Sequence, residues 1–325
     1  MMEMNMAQAI NHGIHLAMAA DPAALLIGED VGRTGGVFRV TDGLLEAFGE
    51  ERVIDTPVAE SGIVGVALGM AVAGLHPIAE IQFMGFTYPA YDQIVSHVGR
   101  MRNRSRHRFT APMVIRFPYG GGIGAAEHHS ESTEALYVHT PGVKVVVASG
   151  PRMAKGLLLA AVEDPDPVIM LEPIRLYRAI REEVPEGHYT IPIGVGEVVR
   201  VGSDVTLIGY GSMLREALRA AETLEAAGAS AEVIDLRTVS PLDADLVVAS
   251  VEKTGRAVVV AEGHRSAGVA AEVAAIIGER ALFSLQAPVE RVTGLDTVVP
   301  LKRAEQYYVP DAARIAAAAR RTLEA

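Results

Sequence analysis

The chain has 325 residues, half of them hydrophobic, a formal net charge of -11, no cysteine and no tryptophan. That length points to two domains, the acidity argues against a nucleic-acid or anionic-membrane surface, and the missing cysteines exclude disulfides and thiolate chemistry. No apolar run reaches the roughly 18 residues of a membrane span, and no signal-peptide layout is visible at the N-terminus, so a soluble, cytoplasmic protein is expected.

Taken in order, residues 4–20 read as an amphipathic helix with Ile10, Ile14 and Met18 on one face. A buried strand at 24–27 ends in Gly28-Glu29-Asp30-Val31-Gly32, and a helix is expected over 42–48. The stretch from Asp55 to Gly69 joins a short strand to a small-residue helix. Thr56 is its expected N-cap, Pro57 its first helical residue, and Glu60 a carboxylate in its first turn. Gly62, Gly65 and Gly69 recur at helical spacing. Glycine costs up to about 1 kcal/mol in a helix relative to alanine, so three on one face imply close approach of another backbone. A strand at 76–81, a loop over 82–89, and a helix over 91–106 with a basic end follow. The strand at 113–117 leads into Gly120-Gly121-Gly122-Ile123-Gly124, read as a mobile active-site loop that reaches His128-His129. Another strand-helix-strand unit completes a first domain of residues 1–185. Polar residues and Pro185, Gly187 and Pro192 mark the boundary. Residues 186–325 then alternate strands and helices. The fold class is α/β, with two open, largely parallel sheet domains.

Ligands of open parallel sheets bind outside the carboxyl ends of the strands. Glu29, the 82–86 segment, the His129 loop and the helix start at Glu60 are all expected on that rim. By itself, an acid in a first helical turn is most simply a dipole-stabilised surface carboxylate; in this company it is a candidate for proton chemistry. Adjacent histidines rarely share one metal ion, so Glu127, His128 and His129 make a poor metal site. Gly209-Tyr210-Gly211-Ser212 lacks the full dinucleotide fingerprint, and neither Ser61 nor Ser130 sits in a nucleophile elbow.

Several segments closely resemble one family along the whole chain: Gly28-Glu29-Asp30-Val31-Gly32, Gly35-Gly36-Val37-Phe38, Asp55-Thr56-Pro57-Val58-Ala59-Glu60, Glu80-Ile81-Gln82-Phe83, His129-Ser130, Pro141-Gly142-Val143-Lys144-Val145-Val146, Leu171-Glu172-Pro173, Leu176-Tyr177-Arg178 and Asp235-Leu236-Arg237-Thr238. The family is the beta subunit of the thiamine-diphosphate-dependent decarboxylating component of 2-oxo acid dehydrogenase complexes. The resemblance implies a pyrimidine-binding domain and a transketolase C-terminal-like domain in an alpha2-beta2 heterotetramer. It implies Glu60 as the glutamate bonded to the aminopyrimidine ring, with Glu29, Val58, Gln82 and Phe86 as further cofactor contacts. His129 matches the histidine credited with reductive acylation of lipoamide, the lipoyl group being carried by the acyltransferase component. Mg²⁺ would be held mainly by the alpha subunit, since this chain has no Gly-Asp-Gly motif, and a potassium ion would lie near Asp164 and Asp166.

Substrate features divide. Glu127 to Ser130 and Tyr88 to Gln93 look like branched-chain members, Met84-Gly85-Phe86 like pyruvate members, and the balance leans slightly to a branched-chain 2-oxo acid over pyruvate or acetoin. A self-sufficient transketolase-like transferase, a non-catalytic partner-binding subunit and a nicotinamide-binding module are the readings from other classes.

Overall fold

Aliphatic runs of four to six residues, buried on both faces, form the strands at the centre of this protein. The computed structural model describes residues 1–325, which divide into two compact units: residues 1–119 with 137–193, and residues 120–136 with 194–325. Set beside the expected break at 185/186, the division falls at 193/194, and the 120–136 loop clusters with the second unit.

In the first unit, β1 (Met2–Asn5) pairs antiparallel with β8 (Arg181–Val184). The central strands are β2 (Ala24–Gly28), β3 (Val53–Asp55), β4 (His76–Glu80), β5 (Val114–Tyr119), β6 (Lys144–Val147) and β7 (Val168–Pro173). They are parallel, in the order β6-β7-β5-β4-β2-β3. Register aligns Gly28 with Asp55 and Glu80, Glu80 with Arg116, and Pro118 with Glu172. The carboxyl ends therefore form one rim. The helix Met6–Ala20 opens with a reciprocal capping box between Asn5 and Gln8. Its Ile10, Ile14 and Met18 join Leu157, Leu158 and Ala161 of the helix Pro151–Glu163 in one buried cluster.

Two expected helices change. The Glu60 helix spans Glu60–Val72 with Ala59 as its N-cap, not Thr56. The Thr56 N–H instead donates to Gly28 O at 2.9 Å, which holds that residue beside the sheet. The helix expected over 91–106 is broken into a 3-10 stretch Met84–Ala90, a short helix Tyr91–Gln93, a π-helical turn Ile94–Val98 and Met101–Arg104. Gly99 explains the last break: a Cβ there would meet Pro141 O at 2.6 Å.

Beneath the rim, Arg116 is fully buried. Its Nε and Nη2 donate to the two carboxylate oxygens of Glu172, both at 2.7 Å, and its Nη1 donates to Glu80. The Tyr177 hydroxyl donates to Glu172 Oε2 at 2.6 Å. Burial pushes the Glu80 carboxyl up, opposed by Arg116 and reinforced by Glu172.

The second unit contains β9 (Glu197–Arg200), β10 (Val205–Gly209), β11 (Ala231–Asp235), the short β12 (Thr238–Ser240), β13 (Ala257–Val260) and β14 (Glu290–Val292). Its sheet order is β14-β13-β10-β11-β9, all parallel except β9. Met213, Ala217, Ala220 and Leu224 of the helix Ser212–Glu225 share a core with Ile315, Ala316 and Ala319 of the helix Ala312–Glu324. Buried Glu134 accepts a bond from the Tyr210 hydroxyl at 2.6 Å. Burial, with the Glu262 charge adding, pushes its carboxyl up to about 7 against the lowering effect of that hydroxyl.

Two predictions follow from these buried charges. Arg116→Met leaves Glu80 and Glu172 buried without their cation and should destabilise the fold by about 3–5 kcal/mol in denaturant unfolding. A loss under 1 kcal/mol would mean that the two acids are held by other means. For Glu134 the folded carboxyl lies above its ordinary value of 4.5. Its stabilising contribution is therefore full below that value and is lost as pH rises through about 7. Unfolding midpoints followed from acid to neutral pH should fall for the native chain relative to Glu134→Gln and run parallel above neutrality; parallel curves throughout would refute the shift.

Candidate active site

The rim is shaped first by glycine. At Gly28 a Cβ would approach Glu80 O at 2.7 Å, so the chain leaves β2 with no side chain against β4. The next turn is then tied down. Asp55, ending β3, accepts bonds from Gly32 N at 2.6 Å and Arg33 N at 3.1 Å. Asp30 O accepts from the Thr34 hydroxyl at 2.6 Å and from Gly36 N at 2.8 Å.

This turn buries Glu29, which is 5% exposed, at the end of β2. One of its oxygens, Oε1, has no partner in the chain. Burial pushes its carboxyl up, with the neighbouring Glu60 and Asp30 charges adding and the Ala59 N–H opposing. Glu60 is half-buried and opens its helix; Ala59 provides no side-chain cap, so the positive end of the helix dipole faces the same place. The Thr56 hydroxyl is also buried without a partner, and Val58 stands 80% exposed. Gln82 Nε2 donates to Asp30 Oδ2 at 3.2 Å. Phe86 packs edge-on against Phe83 at 5.2 Å, and Phe83, Phe38 and Tyr177 continue the stack at 5.4 Å spacing.

Glu29, Glu60 and Gln82 thus meet around one turn of the first unit, with Phe86 anchored on the segment after β4. An aminopyrimidine fits these groups: its amine can donate to a carboxylate oxygen such as the partnerless Glu29 Oε1, a ring nitrogen can accept from the partnerless Thr56 hydroxyl or from a protonated carboxyl, and a flat face meets Phe86 or Val58. From sequence Asp30 and Asp55 take no role and Thr56 only that of a helix N-cap; the strand register, which sets Asp55 level with Gly28, brings Asp55 to this turn.

His129 lies in the second unit, half-buried, with its Nδ1 3.0 Å from Glu127 O and its N–H donating to Ala126 O. The glycine loop before it, expected to be mobile, is pinned by bonds from Gly121, Gly122 and Gly124 to buried glutamates. The carboxylates of Asp164 and Asp166 are engaged by cationic side chains. Lys144 Nζ reaches both Asp164 oxygens at 2.8 and 2.6 Å, and Arg102 Nε donates to Asp166 at 2.6 Å. No three metal-capable side chains converge anywhere in the chain. No helix is long and apolar enough to cross a membrane.

Comparison with known proteins agrees with this geometry. Residues 2–179 match the transketolase pyrimidine binding domain and residues 194–315 the transketolase C-terminal domain. The pyruvate dehydrogenase E1 component subunit beta of Acholeplasma laidlawii is 54% identical over 318 residues, 98% of this chain and 97% of that protein. The subunits of the same name from Staphylococcus epidermidis RP62A and Bacillus subtilis are 52% and 51% identical over the full length of both chains. Among solved structures, a split-gene transketolase described as an inactive beta4 tetramer superposes with a TM-score of 0.79 over 99% of this chain and 98% of that one; at 24% identity it shows the fold alone. The three sequence relatives carry pyruvate in their names rather than a branched-chain acid. The rim, both domains and the full-length identity make the conclusion plain: the chain belongs to the transketolase-type family of 2-oxo acid dehydrogenase E1 beta subunits, thiamine-diphosphate-dependent enzyme components.

Proposed function

We propose that this chain is the beta subunit of a pyruvate dehydrogenase E1 component and works with an alpha subunit in a heterotetramer. The observation that carries this reading is Glu60 at an uncapped helix start beside buried Glu29, in a chain with full-length relatives named for pyruvate. Pyruvate therefore replaces the branched-chain acid that the sequence slightly favoured.

Thiamine diphosphate, when bound, supplies a nucleophilic carbon and an electron sink for the loss of carbon dioxide. Glu60 would hold a proton at a pyrimidine ring nitrogen from the first turn of its helix, and the partly buried setting would strengthen the bond. Glu29, next to it, keeps its carboxyl above the ordinary value through burial and the neighbouring Glu60 charge. Phe86, Val58 and Gln82 would orient the ring, and His129 would serve the acyl transfer to a lipoyl group. The diphosphate and Mg²⁺ would be held by the alpha subunit, because this chain gathers no metal-ligating cluster and has an acidic balance.

The helix Glu60–Val72 supports a subunit contact. Its exposed face carries Gly62, Val66 and Gly69, and a Cβ added at Gly69 would meet nothing within 4 Å. No contact inside the chain requires that glycine. A partner backbone would.

Three measurements test this. Co-expressed with its alpha subunit, the chain should decarboxylate pyruvate with a kcat/KM at least about 10-fold above that for 3-methyl-2-oxobutanoate, the scale of discrimination for a few methyl groups; a preference for the branched acid, or activity in the chain alone, would sink the assignment. In the assembled enzyme, Glu60→Gln should lower decarboxylation about 10²–10⁴-fold while the tetramer stays intact, and unchanged turnover would point to a non-catalytic subunit. Gly69→Leu should abolish the tetramer in sedimentation while the chain keeps its helical circular dichroism. A tetramer that forms normally would remove this helix from the interface.

A further inference from the structure

The loop before His129 has an unusual anchor. Gly120, Gly122 and Gly124 take φ values of +90°, +91° and +68°, in the left-handed region that glycine tolerates. This turns successive N–H groups outward, as in the backbone nests that cradle anions. The anions here belong to the protein. Glu262 Oε1 accepts from Gly121 N, while the Ser212 hydroxyl donates to Glu262 Oε2 at 2.7 Å. Glu305 accepts with both oxygens, from Gly122 N at 2.7 Å and Gly124 N at 2.9 Å. Both carboxylates are buried. Space matches conformation: a Cβ at Gly120 would sit 2.8 Å from Glu262 Oε1, and one at Gly121 2.9 Å from Glu305 Oε1. The glycines let two carboxylates reach the main chain, and the loop then runs five residues from Gly124 to His129. There His128 takes φ +67°, and the His129 ring meets Glu127 O.

We propose that Glu262 and Glu305 are positioning residues that clasp the 120–124 backbone and thereby fix where His129 presents its imidazole. The proposal depends on the reading of His129 as the acyl-transfer histidine. It adds two groups that touch neither cofactor nor substrate in that reading and act only through the loop. The clasp is charge-assisted at each contact, which makes it stronger than neutral turn bonds, and it replaces side-chain packing that glycines cannot provide. Within this unit Glu134 and Glu262 act on each other's charge, and both add to the burial that raises the Tyr308 phenol. The loop N–H groups are the donors to Glu262 and Glu305.

The test uses the assembled heterotetramer and reads the loop separately from the chemistry. Amide hydrogen exchange should rise on the order of 10-fold or more at Gly121, Gly122 and Gly124 in Glu305→Ala, with the sheet of the same unit unchanged. Acyl transfer to an isolated lipoyl domain should slow by a similar factor, while pyruvate decarboxylation with ferricyanide as acceptor keeps its kcat and KM. Glu305→Gln, which keeps one acceptor oxygen, should recover much of both. Glu262→Gln should show the smaller effect, because Ser212 can still donate to it. Unchanged exchange in Glu305→Ala overturns the clasp. Raised exchange with normal lipoyl transfer, where His129→Ala is slow, overturns the positioning role and leaves the histidine's role standing. A His129→Ala enzyme that transfers normally overturns both, and the exchange data still say whether the clasp exists.

Discussion

The buried guanidinium of Arg116 is the element on which the first unit depends. It sits level with Glu80 in the sheet register and takes both oxygens of Glu172 in a fork-to-fork pair while its remaining nitrogen reaches Glu80. Removing three charges from water is expensive, and only full hydrogen bonding makes such a group tolerable. Here Glu172 has a further tie. Tyr177 donates to Glu172 and continues through Phe38 and Phe83 to Phe86. The ring expected to face the cofactor is thus the outer end of a stack whose inner end is fixed by the ion network. A weaker network would loosen that ring before it unfolded the sheet.

Much of the fold could be read from the sequence because buried parallel strands are uninterrupted aliphatic runs, and helices between them carry a regular apolar face. The errors have local causes. Thr56-Pro57 has the chemistry of a helix start, but the Thr56 N–H is used to continue the sheet edge at Gly28, so the helix waits until Glu60. The 91–106 segment has helical composition, yet the helix is broken at Gly99, where the backbone passes against Pro141 O. β8 and β9 are short and rich in charge, which hides strand pairing from any periodicity.

Placement on the rim was legible where a residue closely follows a strand end and illegible where sequence-distant residues must be brought together. Glu29, Glu60, Gln82 and Phe86 follow strand ends, and the rule for parallel sheets finds them. Glu262 and Glu305 lie 141 and 183 positions from the glycines that they hold. Nothing near either residue marks it. The trace they leave is in the loop itself, where glycines stand at 120, 121, 122 and 124. Such a pattern suggests a flexible lid or a phosphate cradle, and a structure is needed to see that the protein's own carboxylates fill the cradle. The same distance hides the membership of 120–136 in the second unit, because no change of composition marks the point where the chain leaves one unit for the other.

An exposed glycine face and an incomplete ligand set have the same physical explanation. A helix with Gly62, Gly65 and Gly69 gives up roughly 1 kcal/mol of intrinsic stability per glycine relative to alanine. Within this chain Gly62 and Gly69 return none of it, since a Cβ at Gly62 would make only an ordinary 3.6 Å contact with Ala59 and one at Gly69 none at all. Next to this face, Glu29 Oε1 and the Thr56 hydroxyl are buried without partners, an arrangement that a finished interior avoids. Close backbone packing of a second chain and a polar ring lodged at the rim would compensate both costs. Arg116 and the capped helix Met6–Ala20 hold the surrounding frame through bonds made within the chain. That separation between a self-sufficient frame and an unsatisfied rim is what a shared active site requires of each subunit that builds it.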